Sequence, residues 1–140
     1  MKEEIKNNAC VQTHVSTMQK IISRMSNNSS ICKITAIVIT TLTLTLLAIC
    51  STQDYYQIAR LPLIAMWALD CYYLGMERIF RIRYIEFVKS IEKEDFDFTN
   101  IYKFETAAES EKLYHVLRGV LSISTTPYYL ILSLLIYFSI

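Results

Sequence analysis

Three long apolar runs constrain the fold of this chain more than any other feature of its sequence. They cover residues 34–50, 61–76 and 119–140, and the first and third contain no charged residue. A helix needs about 20 mostly apolar residues to cross a bilayer, so the third run is long enough and the first becomes so with its uncharged flank. Because an isolated strand in lipid leaves its backbone groups unsatisfied, a helix is predicted even where Thr and Leu alternate. With 53% hydrophobic residues, the sequence indicates an all-α membrane protein.

The second run contains a carboxylate, Asp70. An ionisable group at membrane depth is costly, so its presence indicates either a functional site or a contact between helices. The run is short, but a helix that continues through Ile82, with Arg78 and Arg81 reaching the interface, would be long enough to span.

Polar residues follow Asp70 along one face of the same helix. We call this face the polar stripe; its members are Asp70, Tyr73, Glu77, Arg78, Arg81 and Tyr84. Glu77 and Arg81 have the spacing and order of a favourable ion pair. Asp70 must find a partner on a neighbouring helix, bond a hydroxyl such as that of Tyr73 or of a threonine in the first span, or stay protonated. The polar stripe therefore predicts a clamp within a hairpin or oligomer, or a lining for ions or water.

The N-terminal segment, residues 1–33, is predicted to form a cytoplasmic amphipathic arm. Its apolar residues recur at steps of four and three, as in a coiled coil or an interfacial helix: Val11, Val15, Met18, Ile22 and Met25. The arm is too short to be stable alone, so this face must pack on another chain, another helix or a membrane. Residues 27–30, Asn-Asn-Ser-Ser, predict a break that caps the membrane helix after it.

The first span offers a small, weakly polar face made of Ala36, Thr40, Thr41 and Thr45. Such a face suits close helix packing or the lining of a pore. The alternative is that the hydroxyls bond carbonyls of their own helix.

Basic residues predict the topology. They concentrate before the first run and between the second and third, whereas the short connection 51–60 carries only Arg60. By the positive-inside rule, the N-terminus is cytoplasmic and the protein is multi-pass. We expect four parts: the arm 1–33, a transmembrane helical hairpin 34–82, a cytoplasmic amphipathic connection 83–118 with an acidic loop, and a third transmembrane helix 119–140 kinked at Pro127. A cleaved signal peptide is not expected.

No catalytic or cofactor pattern is present in the sequence. The four cysteines lack paired spacing, the two histidines are far apart, and two glycines are too few for a phosphate-cradling loop. We therefore expect no enzyme activity, no cofactor and no metal, and no basic patch is dense enough to predict direct nucleic-acid binding.

The run from Ile22 to Lys33, the span after it, and the pattern Asp-x-x-Tyr-Leu-x-x-Glu-Arg-x-x-Arg over residues 70–81 together resemble a family of small bacterial membrane proteins. Some of these are similar to the two-span effectors encoded beside retron reverse transcriptases in anti-phage systems. The resemblance covers residues 14–90 and leaves out the third run. It implies an inner-membrane effector of abortive infection, held inactive by a reverse transcriptase with its RNA–DNA hybrid and then released to damage the membrane.

The residues and the resemblance agree on a hypothesis for function. Copies would associate into a homo-oligomer, contact membrane lipid, and permeabilise or depolarise the membrane. Two other classes stay open: a membrane adaptor that docks a cytosolic partner through residues 96–114, and a holin-like lysis protein.

Overall fold

The computed structural model describes residues 8–50, 60–92, 109–120, 122 and 125–138. These residues form four helices: α1 (Ala9–Cys50), α2 (Arg60–Glu92), α3 (Glu109–Val120) and α4 (Thr126–Phe138). No strand occurs in the described ranges, which confirms the all-helical prediction. The acidic loop expected after Lys89 lies mostly outside these ranges.

Helices α1 and α2 form a long antiparallel hairpin. Val11 near the start of α1 packs on Ile91 near the end of α2, and Ala36 lies in one cluster with Leu63 near the start of α2. Along α2, the residues facing α1 recur every seven positions: Leu63, Asp70, Glu77, Tyr84 and Ile91. A seven-residue repeat of inward positions is the pattern of a coiled coil, in which polar core residues fix the register of the two helices.

Helix α1 continues through residues 27–30, so the predicted break and cap there are wrong. The cap is at Asn8, whose Oδ1 accepts a hydrogen bond of 2.9 Å from the backbone N–H of Cys10. Asn and Ser cost a helix only a fraction of a kcal/mol each relative to Ala. Ser29 is buried and extends the inward face of the arm, from Met25 to Cys32, so packing on α2 outweighs this cost.

The amphipathic arm is therefore the first half of α1. Val11 and Met18 are buried, while Val15, Ile22 and Met25 are half-buried. Of the three partners that the sequence left open, the structure shows another helix of the same chain.

A histidine lies in this part of the hairpin. His14 is buried, and its ring centroid is 4.5 Å from that of Phe87. Burial lowers the pKa of His14 below its usual value of 6.5, because desolvation disfavours the imidazolium.

This gives a pH-dependent prediction. As pH falls through 6.5, the unfolded chain takes up a proton at His14 before the folded chain does, so the hairpin loses stability; at higher pH the contribution is fully present. Amide hydrogen exchange at the Val11–Ile91 end should therefore accelerate between neutral pH and about pH 5.5, after correction for the intrinsic rate. His14→Leu should remove most of this slope. An unchanged slope in that variant would contradict the assignment.

The third apolar segment differs from the expected single helix. Gly119 and Val120 belong to α3, and α4 begins at Thr126. The hydroxyl of Thr125, which is fully buried, donates to the carbonyl of Gly119 at 2.9 Å and closes the turn. Pro127 lies in the first turn of α4, where no intrahelical N–H is needed, so the predicted kink is wrong.

Helices α3 and α4 pack along the hairpin. Helix α3 lies on α2, and α4 contacts both hairpin helices, with Tyr129, Leu132 and Ile136 buried against Ala36 and Leu63. Among the described residues, α1 is the one helix long and apolar enough to cross a membrane by length and composition. Helix α4 is apolar but shorter.

Large apolar side chains are exposed at the end of the hairpin where α4 packs. We call them the apolar belt: Ile34, Ile37, Val38, Leu42, Leu46 and Ile49 of α1, Leu61 and Ile64 of α2, and Leu130, Ile131, Leu134 and Leu135 of α4. Only 22% of the most apolar window of α1 is buried inside the structure. Exposed apolar surface of this extent is typical of a surface that contacts another protein or a membrane.

Candidate functional site

A cluster of three polar side chains joins α1 to α2 at Asp70. The Asp70 side chain is 0% exposed, and its Oδ1 accepts hydrogen bonds from the Ser29 hydroxyl and from Lys33 Nζ, the latter at 3.2 Å. Lys33 Nζ also lies 3.0 Å from Oδ2 and forms an ion pair with the carboxylate. Lys33 Nζ donates to the Ser29 oxygen at 3.0 Å as well. We call Ser29, Lys33 and Asp70 the polar cluster.

Helix α4 supports the polar cluster from its own N-terminal turn. The Tyr128 hydroxyl donates to the backbone carbonyl of Lys33 at 2.6 Å, and the Tyr129 hydroxyl donates to that of Met66 at 3.4 Å. Cys32 and Cys71, the chain neighbours of Lys33 and Asp70, are both buried. Three helices therefore meet around the Lys33–Asp70 ion pair. The two tyrosine hydrogen bonds connect α4 to both helices of the hairpin.

The predicted partner choices for Asp70 are resolved by this geometry. The partner is on a neighbouring helix, as one alternative held, and a hydroxyl contributes, but that hydroxyl belongs to Ser29 and not to Tyr73 or a threonine. Tyr73 is half-buried and its ring lies 5.7 Å from that of Tyr72.

The remaining polar stripe is divided between two faces of α2. The predicted Glu77–Arg81 ion pair is confirmed, with Arg81 Nη2 2.7 Å from Glu77 Oε1, and Gln19 Nε2 of α1 donates to the Tyr84 hydroxyl at 3.2 Å. Arg78 belongs to the other face, since its Nη2 donates to Ser122 Oγ at 3.2 Å in the turn before α4. The inward part of the stripe thus faces α1 and does not line an open path in this conformation.

The threonine face of α1 is also divided. Ala36 and Thr40 are buried inside the bundle, whereas Thr41 and Thr45 are exposed on its outer side. Thr45 Oγ1 donates to the carbonyl of Thr41 at 2.8 Å, as the alternative interpretation predicted. The outer pair, with exposed Ala48 one turn further on, keeps the small-residue character that suits close helix packing.

Sequence reasoning missed Ser29 and Lys33. Local propensity predicts a break at residues 27–30, and Lys33 counts among the basic residues before the first run, so the sequence alone places neither inside a helix pair. One signal could have found them: the inward steps of the arm continue from Met25 through Ser29 to Cys32 and Ala36, and Lys33 is one turn after Ser29.

The chemistry available to the polar cluster is structural. The Asp70 charge is matched by Lys33 and oriented by Ser29, so the buried carboxylate is stabilised without an external ligand. In the part of the chain that the structure describes, no three His, Cys, Asp or Glu side chains lie together as a metal site.

Comparison with protein-family models, with curated proteins and with solved structures gives no match.

Proposed function

We propose that this chain is a small integral membrane protein that acts on the bilayer itself, as an effector that depolarises or permeabilises a bacterial inner membrane. The apolar belt carries this proposal. Its side chains are exposed on three helices at one end of the bundle, and nothing in the described chain covers them. On α1 the belt extends from Ile34 to Ile49, about 23 Å along the helix, which is most of a hydrocarbon core of about 30 Å.

The charge distribution supports an orientation with the N-terminus in the cytoplasm. The arm half of α1 and the C-terminal half of α2 hold most of the described basic residues, such as Lys20, Arg24 and Arg83, and they lie at the end opposite the apolar belt. The polar cluster is close to the boundary between the two halves, because Lys33 directly precedes the first residue of the belt. An ion pair there costs less than one at the bilayer centre.

In the proposed mechanism, the conformation described here is the closed form. Asp70 and Tyr84 of the polar stripe contact α1, whereas Thr41, Thr45 and Ala48 are exposed on the outer side, so we take this outer face as the surface for association between copies. Association or release from a partner would then expose a polar path. The resemblance supports an abortive-infection role, with a retron reverse transcriptase and its RNA–DNA hybrid as the inhibitory partner at the cytoplasmic side.

Induced expression of the full chain alone in bacteria tests the proposal. We expect the protein to resist carbonate extraction from membranes, the membrane potential to collapse soon after induction, and growth to arrest. Potential-sensitive dye fluorescence and propidium entry are the measurements.

The matched control is Leu42→Lys with Leu46→Lys, which places two charges in the apolar belt at a cost of about 3 kcal/mol each and should abolish both insertion and depolarisation. An inserted, well-expressed wild-type chain that leaves the potential and growth unchanged would contradict the effector proposal. Asp70→Asn with Glu77→Gln, at equal expression, asks whether the polar stripe takes part: full toxicity in that variant would exclude it as the working surface.

A further inference from the structure

A polar groove lies on the side of the hairpin next to the polar cluster. It is lined by Gln19, Ile22, Ser23, Ser26, Asn27 and Ser30 of α1 and by Arg81 of α2. Apart from Ile22, every lining residue carries a hydrogen-bond donor. Apart from Arg81, which belongs to the polar stripe, no residue of the groove has a role in the proposed function.

The cation of the groove is available for a ligand. The Arg81 side chain is 61% exposed, and among the described residues it forms an ion pair with Glu77, with Nη2 2.7 Å from Oε1. Glu77 is itself buried and sits beneath the guanidinium, which holds the fork in place. A guanidinium has five N–H donors, so most remain free to meet a second anion.

Three serine hydroxyls of α1 share the groove with Arg81. Ser23, Ser26 and Ser30 follow at helical steps on one face of α1, opposite Arg81. The Ser30 hydroxyl donates back to the carbonyl of Ser26 at 3.2 Å and leaves its oxygen open, whereas Ser23 and Ser26 can rotate their hydroxyls toward a ligand. Planar, bidentate recognition by Arg together with neutral donors is the chemistry that suits a phosphate.

The position of the groove agrees with this ligand chemistry. Ser30 directly precedes Ile31, and exposed Ile31 and Ile34 continue into the apolar belt. If the belt lies in lipid, the Ser30 end of the groove lies at the depth of the headgroups and the rest of it extends toward the aqueous side, on the leaflet that carries the positive charges of the chain.

We propose that this groove binds a phosphate group, supplied by the headgroup of an anionic lipid or by free phosphate, through Arg81 and the serines of α1. The lipid source rests on the proposed membrane location; the phosphate chemistry does not. Binding there would connect α1 and α2 just below the polar cluster and would couple the hairpin to the lipid composition.

Two measurements on the full chain test the groove. In the first, the protein is reconstituted in phosphatidylcholine nanodiscs that contain some phosphatidylglycerol, and native mass spectrometry counts the phosphatidylglycerol retained by each chain. In the second, the protein in zwitterionic micelles is titrated with sodium phosphate while NMR follows the Arg81 Nε–H signal. Membrane insertion is checked separately by carbonate extraction, so that its failure is not confused with failure of the groove.

Arg81→Gln should weaken phosphatidylglycerol retention or phosphate binding about fivefold, the effect of one basic contact at a membrane surface. Ser26→Leu keeps the charge but fills the groove, and should weaken binding as strongly. Lys89→Gln is the matched control, because it removes one exposed charge from α2 away from the groove and should change binding little. Circular dichroism confirms that each variant is helical.

The two measurements distinguish a lipid phosphate, free phosphate and the absence of a specific site. Retained phosphatidylglycerol that is lost in Arg81→Gln and Ser26→Leu supports the proposal with a lipid source. A phosphate-dependent shift of Arg81 without lipid retention supports it with free phosphate as the source. Equal losses in Arg81→Gln and Lys89→Gln would show diffuse surface attraction and overturn the proposal, as would the absence of both signals in the wild-type chain.

Discussion

Lys33→Met should destabilise the hairpin by about 3–5 kcal/mol, because it leaves the fully buried Asp70 carboxylate without its cation. Asp70→Leu should cost less, since the Lys33 side chain is partly exposed and can extend its ammonium group to the aqueous boundary. The two variants are expected to differ because the two partners differ in burial. An unpaired Asp70 carboxylate stays without water, whereas an unpaired Lys33 ammonium group can be hydrated.

The double variant distinguishes stabilisation from specificity. Replacing both partners, with Lys33→Met and Asp70→Leu, removes the need to bury a charge, so its stability should lie within about 1 kcal/mol of wild type or above it. Ser29 can then donate to the carbonyl one turn before it. The coupling energy between the two sites should be at least about 2 kcal/mol.

Denaturant titration in detergent micelles, followed by circular dichroism, measures these free energies of unfolding. Lys20→Met is the matched control, because Lys20 is exposed on the same helix and its loss should change stability by less than about 0.5 kcal/mol. If Lys33→Met behaves like Lys20→Met, the polar cluster does not stabilise the hairpin and the ion pair is incidental.

The hairpin itself could be predicted from the sequence, but its internal partners could not. The length of the apolar runs and the spacing of the apolar residues in the arm predicted helices. The Glu77–Arg81 ion pair could be predicted because both residues lie on one helix, four positions apart. The pairing of Asp70 with Lys33 is a contact between helices, so it depends on the register of the hairpin. Nothing local in the sequence fixes that register.

In the arm, a prediction from local propensity was wrong because of contacts between helices. Local propensity at residues 27–30 predicted a break, and a few tenths of a kcal/mol per residue were outweighed by the packing of Ser29 and its neighbours on α2. The division of the threonine face also required the bundle, since Thr40 and Thr41 are chain neighbours and only the position of α2 and α4 decides which of them is buried.

The two glycines of the chain both lie where α3 meets α2. A Cβ on Gly75 would stand 2.7 Å from Val116 Cγ2 and 2.9 Å from the Val116 backbone, and a Cβ on Gly119 would stand 2.9 Å from the carbonyl oxygen of Cys71. Side chains can shift, but these backbone atoms belong to packed helices. The absence of a side chain at both positions is therefore what lets α3 approach α2 so closely.

Gly75→Ala and Gly119→Ala should each destabilise the packing of α3 by about 1–3 kcal/mol, less the roughly 1 kcal/mol by which Ala favours a helix over Gly. The two sites share one interface, so their effects should not add simply. In the double variant, α3 should separate from α2 while the α1–α2 hairpin stays intact, because the contacts between α1 and α2 lie on another face of α2.

Amide hydrogen exchange follows this separation, and it should accelerate in α3 but not at Ser29 or Asp70. Ala68→Gly, an exposed change on α2 of opposite propensity, controls for helix stability and should leave exchange in α3 unchanged. If the double glycine variant gains stability and keeps α3 protected from exchange, helix propensity outweighs the close approach and α3 does not depend on these glycines.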